Sequence, residues 1–278
     1  MPELNNKPRI NFLVFWVGQF CTLRCKNCCN LIPYTKNSHY DMKKSIIDLK
    51  KLSHYAQIQS LQIQGGEPFT HPDLHLLITA LEELPIANIE IATNGTMLLT
   101  GSAIEAIKKT NKIKVRVSNY PHIARRKEKF VQQLADNNIA LAKYDFMYGD
   151  QSWFDSGSID VERNDDEESV RQIYRDCENK VCWTLADGTL TTCGKIPALK
   201  ELRNIYDKVP YNEIDIRNIS SKDEMVKSIA GFMEHMGRYK EACRYCLGTY
   251  KKIPSAIQIG KEELSECLSK LPALVVHN

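Results

Sequence analysis

Residues 21 to 29 read CTLRCKNCC. Cys21, Cys25 and Cys28 fall at C-x3-C-x2-C, a spacing that lets one loop fold three thiolates around a shared inorganic centre. Closed structural metal sites use four protein ligands. Three thiolates on a four-iron–four-sulfur (4Fe–4S) cube leave one iron with an open position, which an exogenous group must fill. The competing chemistry is a tetrahedral zinc site. That would call for paired C-x2-C knuckles and a fourth local ligand, and no histidine lies close by. Cys29 adjoins a ligand and reads as a spectator thiol.

The rest of the chain carries Cys177, Cys182, Cys193, Cys243, Cys246 and Cys267. The stretch VCWTLADGTLTTC, residues 181–193, reads as a β-hairpin turning at Asp187-Gly188, and Cys243-x2-Cys246 supplies a knuckle. Hairpin plus knuckle is a way to bring four thiolates onto one centre, and five cysteines compete for the four places. A zinc-ribbon-like site is the alternative occupant. Cys267 shares a helical pattern with Leu264 and Leu268 and reads as a buried thiol.

The elements that must position these residues follow from hydrophobic periodicity. Strands are expected at 12–17, 60–64, 88–93, 112–118 and 139–145, alternating with helices at 42–56, 72–84, 102–109 and 124–136. Such alternation implies βαβ units on a parallel sheet. The first cysteine loop, Gly65-Gly66-Glu67-Pro68, Thr93-Asn94 and Ser118-Asn119 all follow strands. They therefore share the rim where parallel α/β folds build their sites. After residue 146 the pattern changes to a long turn-rich stretch, 146–168, then a helix beginning at DDEES, the hairpin, a helix near 225–236 and a last helix at 261–271. A boundary is placed near residue 160. Tyr144, Asp145, Tyr148, Asp150 and Trp153 are expected on the substrate side, unless they pack the linker.

The bulk numbers narrow the functional classes. With 278 residues, a core of normal size forms without staples. The 37 basic and 34 acidic residues are well mixed and leave a net charge of +3, which gives no nucleic-acid footprint. No stretch suits a signal peptide or membrane span. A cytoplasmic protein with reduced cysteines is expected, where clustered thiols mean metal or redox chemistry.

CTLRCKNC followed by QGGEP resembles the radical S-adenosylmethionine (radical SAM) superfamily over roughly residues 10–145. The resemblance implies an α/β partial (β/α) barrel over residues 8–160. It implies Cys21, Cys25 and Cys28 as ligands of a 4Fe–4S cluster whose open iron takes the amine and carboxylate of SAM. Gly65, Gly66 and Glu67 would contact SAM, with Thr93 and Asn94 on the same rim and Ser118 and Asn119 near its ribose and carboxylate. Many members have an aromatic residue just before the third cysteine; here it is Asn27, so adenine packing must come from elsewhere. The family's chemistry is reductive cleavage of SAM to methionine and a 5′-deoxyadenosyl radical, which takes a hydrogen atom from the substrate. The electron would come from a flavodoxin- or ferredoxin-type donor.

The later cysteines resemble the Twitch extension, a shortened SPASM domain with one auxiliary 4Fe–4S cluster in a small hairpin-plus-helix unit over residues 161–278. That resemblance implies Cys193, Cys243 and Cys246 as ligands. The fourth is Cys177, which the motif spacing favours, or Cys182. Peptide-modifying SPASM enzymes often carry an N-terminal leader-binding domain, and a strand starting by about residue 10 leaves no room for one. A short Twitch enzyme resembles the dehydrogenase of aminocyclitol antibiotic biosynthesis. The expected activity is therefore an oxidoreductase or dehydrogenase acting on a small polyol, aminosugar or nucleotide sugar. The alternatives are a ribosomal-peptide maturase and a non-catalytic zinc-binding module.

Overall fold

The computed structural model describes residues 7–120, 124–142, 152–180, 182–203, 213–234 and 237–271. Four parallel strands, β1 (Arg9–Trp16), β2 (Gln57–Gln64), β3 (Asn88–Thr93) and β4 (Ile113–Val117), are joined by helices α1 (Met42–Tyr55), α2 (Leu74–Leu81) and α3 (Gly101–Lys108). Helix α4 (Ala124–Asp136) follows β4. The expected fifth strand is represented by one parallel bridge, Leu141 to Val115; residues 143–145 lie outside the described residues, as do Tyr144, Asp145, Tyr148 and Asp150.

Side-chain alternation divides β1 between two layers. Leu13, Phe15 and Val17 enter the large core with α1, α2 and α3, while Val14 and Trp16 pack with Ile32 and Ala186 on the other face. Burial on both faces is why this strand reads as an unbroken apolar run. In β2 to β4 the inward positions are polar: Gln62, Gln64, Glu90, Arg116 and the following Ser118 alternate with Ile63, Ile89, Ile91 and Val115 of the core. The inner face is thus apolar at β1 and hydrogen-bonding from β2 to β4. Helix termini follow local chemistry: Asp41 caps α1 by accepting from Lys43 N and Lys44 N, and Thr100 caps α3 by accepting from Ala103 N.

The expected hairpin forms as β6 (Trp183–Ala186) and β7 (Thr189–Thr191). Its turn residues have φ of 44° at Asp187 and 80° at Gly188, the two left-handed residues that a type I′ turn demands. The hairpin does not stand apart from the barrel. β6 runs parallel beside β1, and β8 (Glu213–Asp215) adds antiparallel to β7, so the sheet order is β4-β3-β2-β1-β6-β7-β8 and the sheet continues across residue 160. A buried apolar β1 would otherwise offer a bare edge, and β6 covers it. The sheet stays open, a mixed α/β partial barrel.

The later chain adds α5 (Glu167–Arg175), α6 (Ile196–Arg203), α7 (Lys222–Glu234) and α8 (Lys261–Ser269). Met225, Ile229 and Phe232 of α7 join the large core, with Trp183 stacked edge-on against Phe232. The turn-rich 146–168 stretch holds an element that periodicity missed: β5 (Ser152–Phe154), paired antiparallel with β9 (Lys252–Pro254). A second core joins α6 and α8 to Leu31 and Tyr34 of the first cysteine loop. Cys267 is buried in that core, as its helical pattern implied. Among the described residues no helix is long and apolar enough to cross a membrane.

Candidate active site

The loop after β1 is held from two sides. On one side the Gly65-Gly66-Glu67 turn docks on it: Gly66 N donates to Gly18 O at 2.9 Å and Glu67 N to Phe20 O at 2.8 Å. The contact is backbone on backbone. A Cβ on Gly66 would lie 1.9 Å from Phe20 O, and one on Gly65, whose φ is +130°, would lie 2.4 Å from Gly18 O. The close approach that these glycines permit is to the cysteine loop itself. On the other side the segment before α8 pairs with it: Lys26 N donates to Ile257 O and Ile259 N to Arg24 O, each at 2.8 Å.

Glu67 is fully buried and spends its carboxylate on β3. Oε1 accepts from Thr93 Oγ1 at 2.7 Å and Phe69 N at 3.2 Å, and Oε2 accepts from Asn94 N at 2.8 Å. Burial raises its pKa to about 7 against the opposing pull of those donors. Asn94 continues the tie: its Nδ2 donates to Thr22 Oγ1 at 3.1 Å and lies 3.7 Å from Cys21 Sγ. The turn, the end of β3 and the cysteine loop are therefore one hydrogen-bonded assembly.

Cys21, Cys25 and Cys28 line one cavity of about 350 Å³, together with Gly65, Gly66, Glu67, Thr93, Asn94 and Ser118. Of the rim residues expected at the site, Asn119 stands aside; its Oδ1 accepts from Lys127 Nζ at 2.5 Å, and it does not line the cavity. Asn27 lines the cavity and donates from Nδ2 to Asp155 Oδ1 at 2.9 Å. Tyr120, Trp153, Phe154, Ser156, Asn179 and Thr249 line the same cavity. Trp153 meets Tyr120 edge-on, with centroids 5.5 Å apart. Ser156 Oγ is buried and has no partner among the described residues.

The donor set fits an iron–sulfur centre. Burial, with the neighbouring Cys28 thiol adding, pushes Cys21 and Cys25 up to about 12, so bare thiols there keep their protons and only a cationic centre stabilises the thiolates. Leu23 N approaches Cys21 Sγ at 3.5 Å and Gln258 Nε2 donates to Cys25 Sγ at 3.3 Å, donors of the kind that tune cluster sulfur. Among the described residues no three His, Cys, Asp or Glu groups are drawn together as a single metal ion would require; the thiols border a space. Cys29 opens onto the same cavity.

The second set is assembled from three segments. Cys177 follows α5, Cys193 follows β7, and Cys243 and Cys246 lie in and just after the 3-10 turn Glu241–Tyr245. Burial raises the pKa of Cys177, Cys193 and Cys243, and these three thiols and that of Cys246 act on one another. Cys182 is raised by burial and then by Cys177 alone among them. Lys240 N donates to Cys243 Sγ and Gly248 N to Cys246 Sγ, each at 3.4 Å. Two lining residues of the cavity flank this set: Asn179 follows Cys177 by two positions and Thr249 follows Cys246 by three. Glu178 N donates to Thr249 Oγ1 at 3.4 Å, and that hydroxyl donates to Asp176 O at 3.1 Å, tying the segments together. Gln258, Asn179 and Thr249 escaped sequence reading because no periodicity or spacing marks a contact between segments so far apart.

The radical SAM superfamily model matches residues 17–130, the span that holds the cysteine loop, the Gly65-Gly66-Glu67 turn and the ends of β3 and β4. The chain carries a radical SAM domain. Among curated proteins it is similar to the GTP 3′,8-cyclase of Campylobacter jejuni subsp. doylei, 29% identical over 97 residues, which is 32% of this chain and 29% of that one. The GTP 3′,8-cyclase of Alkaliphilus oremlandii is 28% identical over 113 residues, 40% of this chain and 35% of that one. The chain thus spans about a third of the curated relatives that it matches. Among solved structures, BtrN in complex with AdoMet and 2-DOIA superposes with a TM-score of 0.54 at 16% identity, covering 91% of this chain and 98% of that one. This chain and BtrN share a fold over nearly their whole lengths.

Proposed function

We propose that this radical SAM protein is an oxidoreductase that binds SAM and one 4Fe–4S cluster at Cys21, Cys25 and Cys28. A second, auxiliary cluster is held at Cys177, Cys193, Cys243 and Cys246, and the enzyme acts on a small polar metabolite lying between the two. The observation that carries this reading is one cavity lined both by the first cysteine loop and by Ser156, Asn179 and Thr249, of which Asn179 and Thr249 neighbour the second cysteine set in the chain. When bound, cluster and SAM supply a primary carbon radical able to take hydrogen from an unactivated C–H bond. The chain's own residues bind, orient and keep water out.

The lining supports a polyol, aminosugar or nucleotide-sugar substrate. Arg116, Ser118, Ser156, Asn179 and Thr249 present polar groups, and Tyr120, Trp153 and Phe154 give flat apolar surface. Those aromatics also answer the missing aromatic at Asn27 by offering a face for adenine. A cluster held at the second set would supply an acceptor for the electron left after hydrogen abstraction; with one proton lost to solvent the net result would be a dehydrogenation, and without it the electron could be relayed onward. A flavodoxin- or ferredoxin-type protein is the proposed donor. Cys177 is assigned over Cys182 because its thiol acts with those of Cys193, Cys243 and Cys246.

Anaerobic reconstitution tests the reading. About eight irons per chain, and 5′-deoxyadenosine released with dithionite and rising above background with one of a pool of polyols, aminosugars and nucleotide sugars, are expected. Two tightly held zinc ions and no SAM cleavage would overturn it. A rise only with a peptide would move the substrate class to that of a maturase.

A further inference from the structure

Lys195 follows Cys193 by two positions, and its side chain is only 4% exposed. Lysine is almost never buried unless paired, because an ammonium taken from water costs several kcal/mol. Yet among the described residues its Nζ donates to two neutral backbone oxygens, Ser156 O and, at 3.3 Å, Gly157 O. Among the described residues no carboxylate lies within ion-pairing distance of it. Its place in the chain brings it near both cysteine sets instead: Cys193 precedes it by two residues, and a Cβ on the intervening Gly194 would lie 2.9 Å from the Oδ1 of Asn30, two residues beyond Cys28. Burial raises the pKa of the thiols of Cys28 and Cys29 in the first loop and of Cys177 and Cys193 in the second set, and Lys195 is a cation that opposes that rise at each. Its backbone N–H also turns toward Cys193. The carbonyl that it holds belongs to Ser156, on the cavity wall.

We propose that Lys195 is the shared counter-charge of the two cysteine-held centres, a positioning residue that raises the reduction potential of both while pinning the cavity wall at Ser156 and Gly157. The inference rests on the two-centre reading above. A thiolate-ligated cluster carries net negative charge that grows on reduction, so a fixed cation nearby favours the reduced form. One ammonium between the two sets also explains how a lysine is stably buried without a carboxylate.

The test compares Lys195→Gln, Lys195→Met and Lys195→Arg with the parent enzyme, each reconstituted anaerobically, assayed for iron and titrated potentiometrically with electron paramagnetic resonance detection. Glutamine keeps an N–H donor for the two carbonyls but removes the charge; arginine keeps the charge. In the glutamine and methionine variants the ratio of reduced to oxidised auxiliary centre at a fixed potential should fall roughly tenfold, which is about 59 mV for a one-electron couple. Arginine should restore most of it. An unmoved ratio in both uncharged variants, or an equal fall with arginine, would overturn the inference. If the uncharged variants lose iron instead, retention by the arginine variant supports it and loss from that variant too overturns it. A parent enzyme holding about four irons with a single signal would overturn the two-centre reading itself, and this inference with it.

Discussion

Cys21, Cys25 and Cys28 come from eight consecutive residues, whereas Cys177, Cys193, Cys243 and Cys246 are gathered from three segments between residues 177 and 246. The first set is short-range in sequence yet is shaped by backbone contacts with distant chain: the glycine turn after β2 on one side and residues 257–259 on the other. The second set is long-range in sequence and is shaped by side-chain packing in a small core of its own, where Cys193 and Tyr245 lie against Ile196, Leu199 and Ala242. A loop braced by backbone tolerates little change in chain geometry. A site braced by packing tolerates repacking but depends on the whole unit being folded. The two regions are also joined, since Leu31 and Tyr34 leave the first loop and enter the second set's core.

On the proposed function, the widest separation between the two sets is expected from the cysteines themselves. Cys25→Ser should reduce 5′-deoxyadenosine release to background while leaving about four irons per chain on the second set. Cys246→Ser should remove the auxiliary iron yet keep SAM cleavage, now uncoupled from product. Iron assay and chromatography of the nucleoside products check both arms, and equal loss of cleavage in the two variants would break the comparison.

Next in size is the brace under the first loop. In Gly66→Ala the new methyl would sit 1.9 Å from Phe20 O, a backbone atom with no side chain to yield. The variant should lose about 3 kcal/mol in denaturant unfolding, the upper range for overpacking, with its first-set iron lost before its second. Gly248→Ala would meet the Tyr250 ring at 2.4 Å. That ring belongs to an exposed side chain that can swing away, but Gly248 has a φ of +83°, so about 1 kcal/mol of backbone strain is expected instead.

What could be read from the letters follows the same division. β1 is legible as a short unbroken apolar run buried on both faces, and β3 and α1 because period-2 or helical spacing reflects burial by neighbours in the same βαβ unit. The Asp187-Gly188 turn was legible because its two left-handed residues are local chemistry. The polar inner face was also present in the alternation of QIQ, IEI and KVRV, read there only as strand. Pairings between distant segments were not legible: β6 beside β1, β5 with β9, and Gln258 on Cys25. At the site, motif spacing brought the three cysteines, the glycine turn and the β3 end to one cavity, yet placed Asn119 there as well. Asn119 fails because a lysine four residues into α4, Lys127, takes its amide oxygen, a contact that no motif spacing records.

Smaller effects sharpen the comparison. Thr93→Val keeps shape but deletes the hydroxyl that donates to Glu67 Oε1 and accepts from Gly95 N at 3.0 Å. Leaving a buried carboxylate short of one donor should cost about 2 kcal/mol, with the loss falling on the first site and none on auxiliary iron. Glu67 also predicts a pH dependence. Its folded-state pKa lies above the ordinary carboxylate value, so the folded protein binds the proton more tightly than the unfolded chain. Its contribution is fully present below about pH 4.5 and is lost as pH rises toward 7. Glu67→Gln should flatten that part of the stability profile of the metal-free protein, and an unchanged slope between pH 5 and 7 would show that Glu67 does not set it.

The finest test lies where the two regions meet. Gln258 belongs to the segment before α8, yet its Nε2 donates to Cys25 Sγ and its Oε1 accepts from Arg24 N at 2.8 Å. In Gln258→Leu Cys25 loses a part-buried hydrogen bond and Arg24 an exposed one, which should cost about 1 kcal/mol or less. Sulfur that accepts fewer N–H donors carries more charge, so the first centre should become harder to reduce while the auxiliary centre keeps its potential. That asymmetry matters because the variant lies in the later half of the chain and perturbs the site of the earlier half. A shift confined to the auxiliary centre would mean that the later chain serves only its own cysteines, and that the bracing of the first loop from residues 257–259 has no electronic consequence.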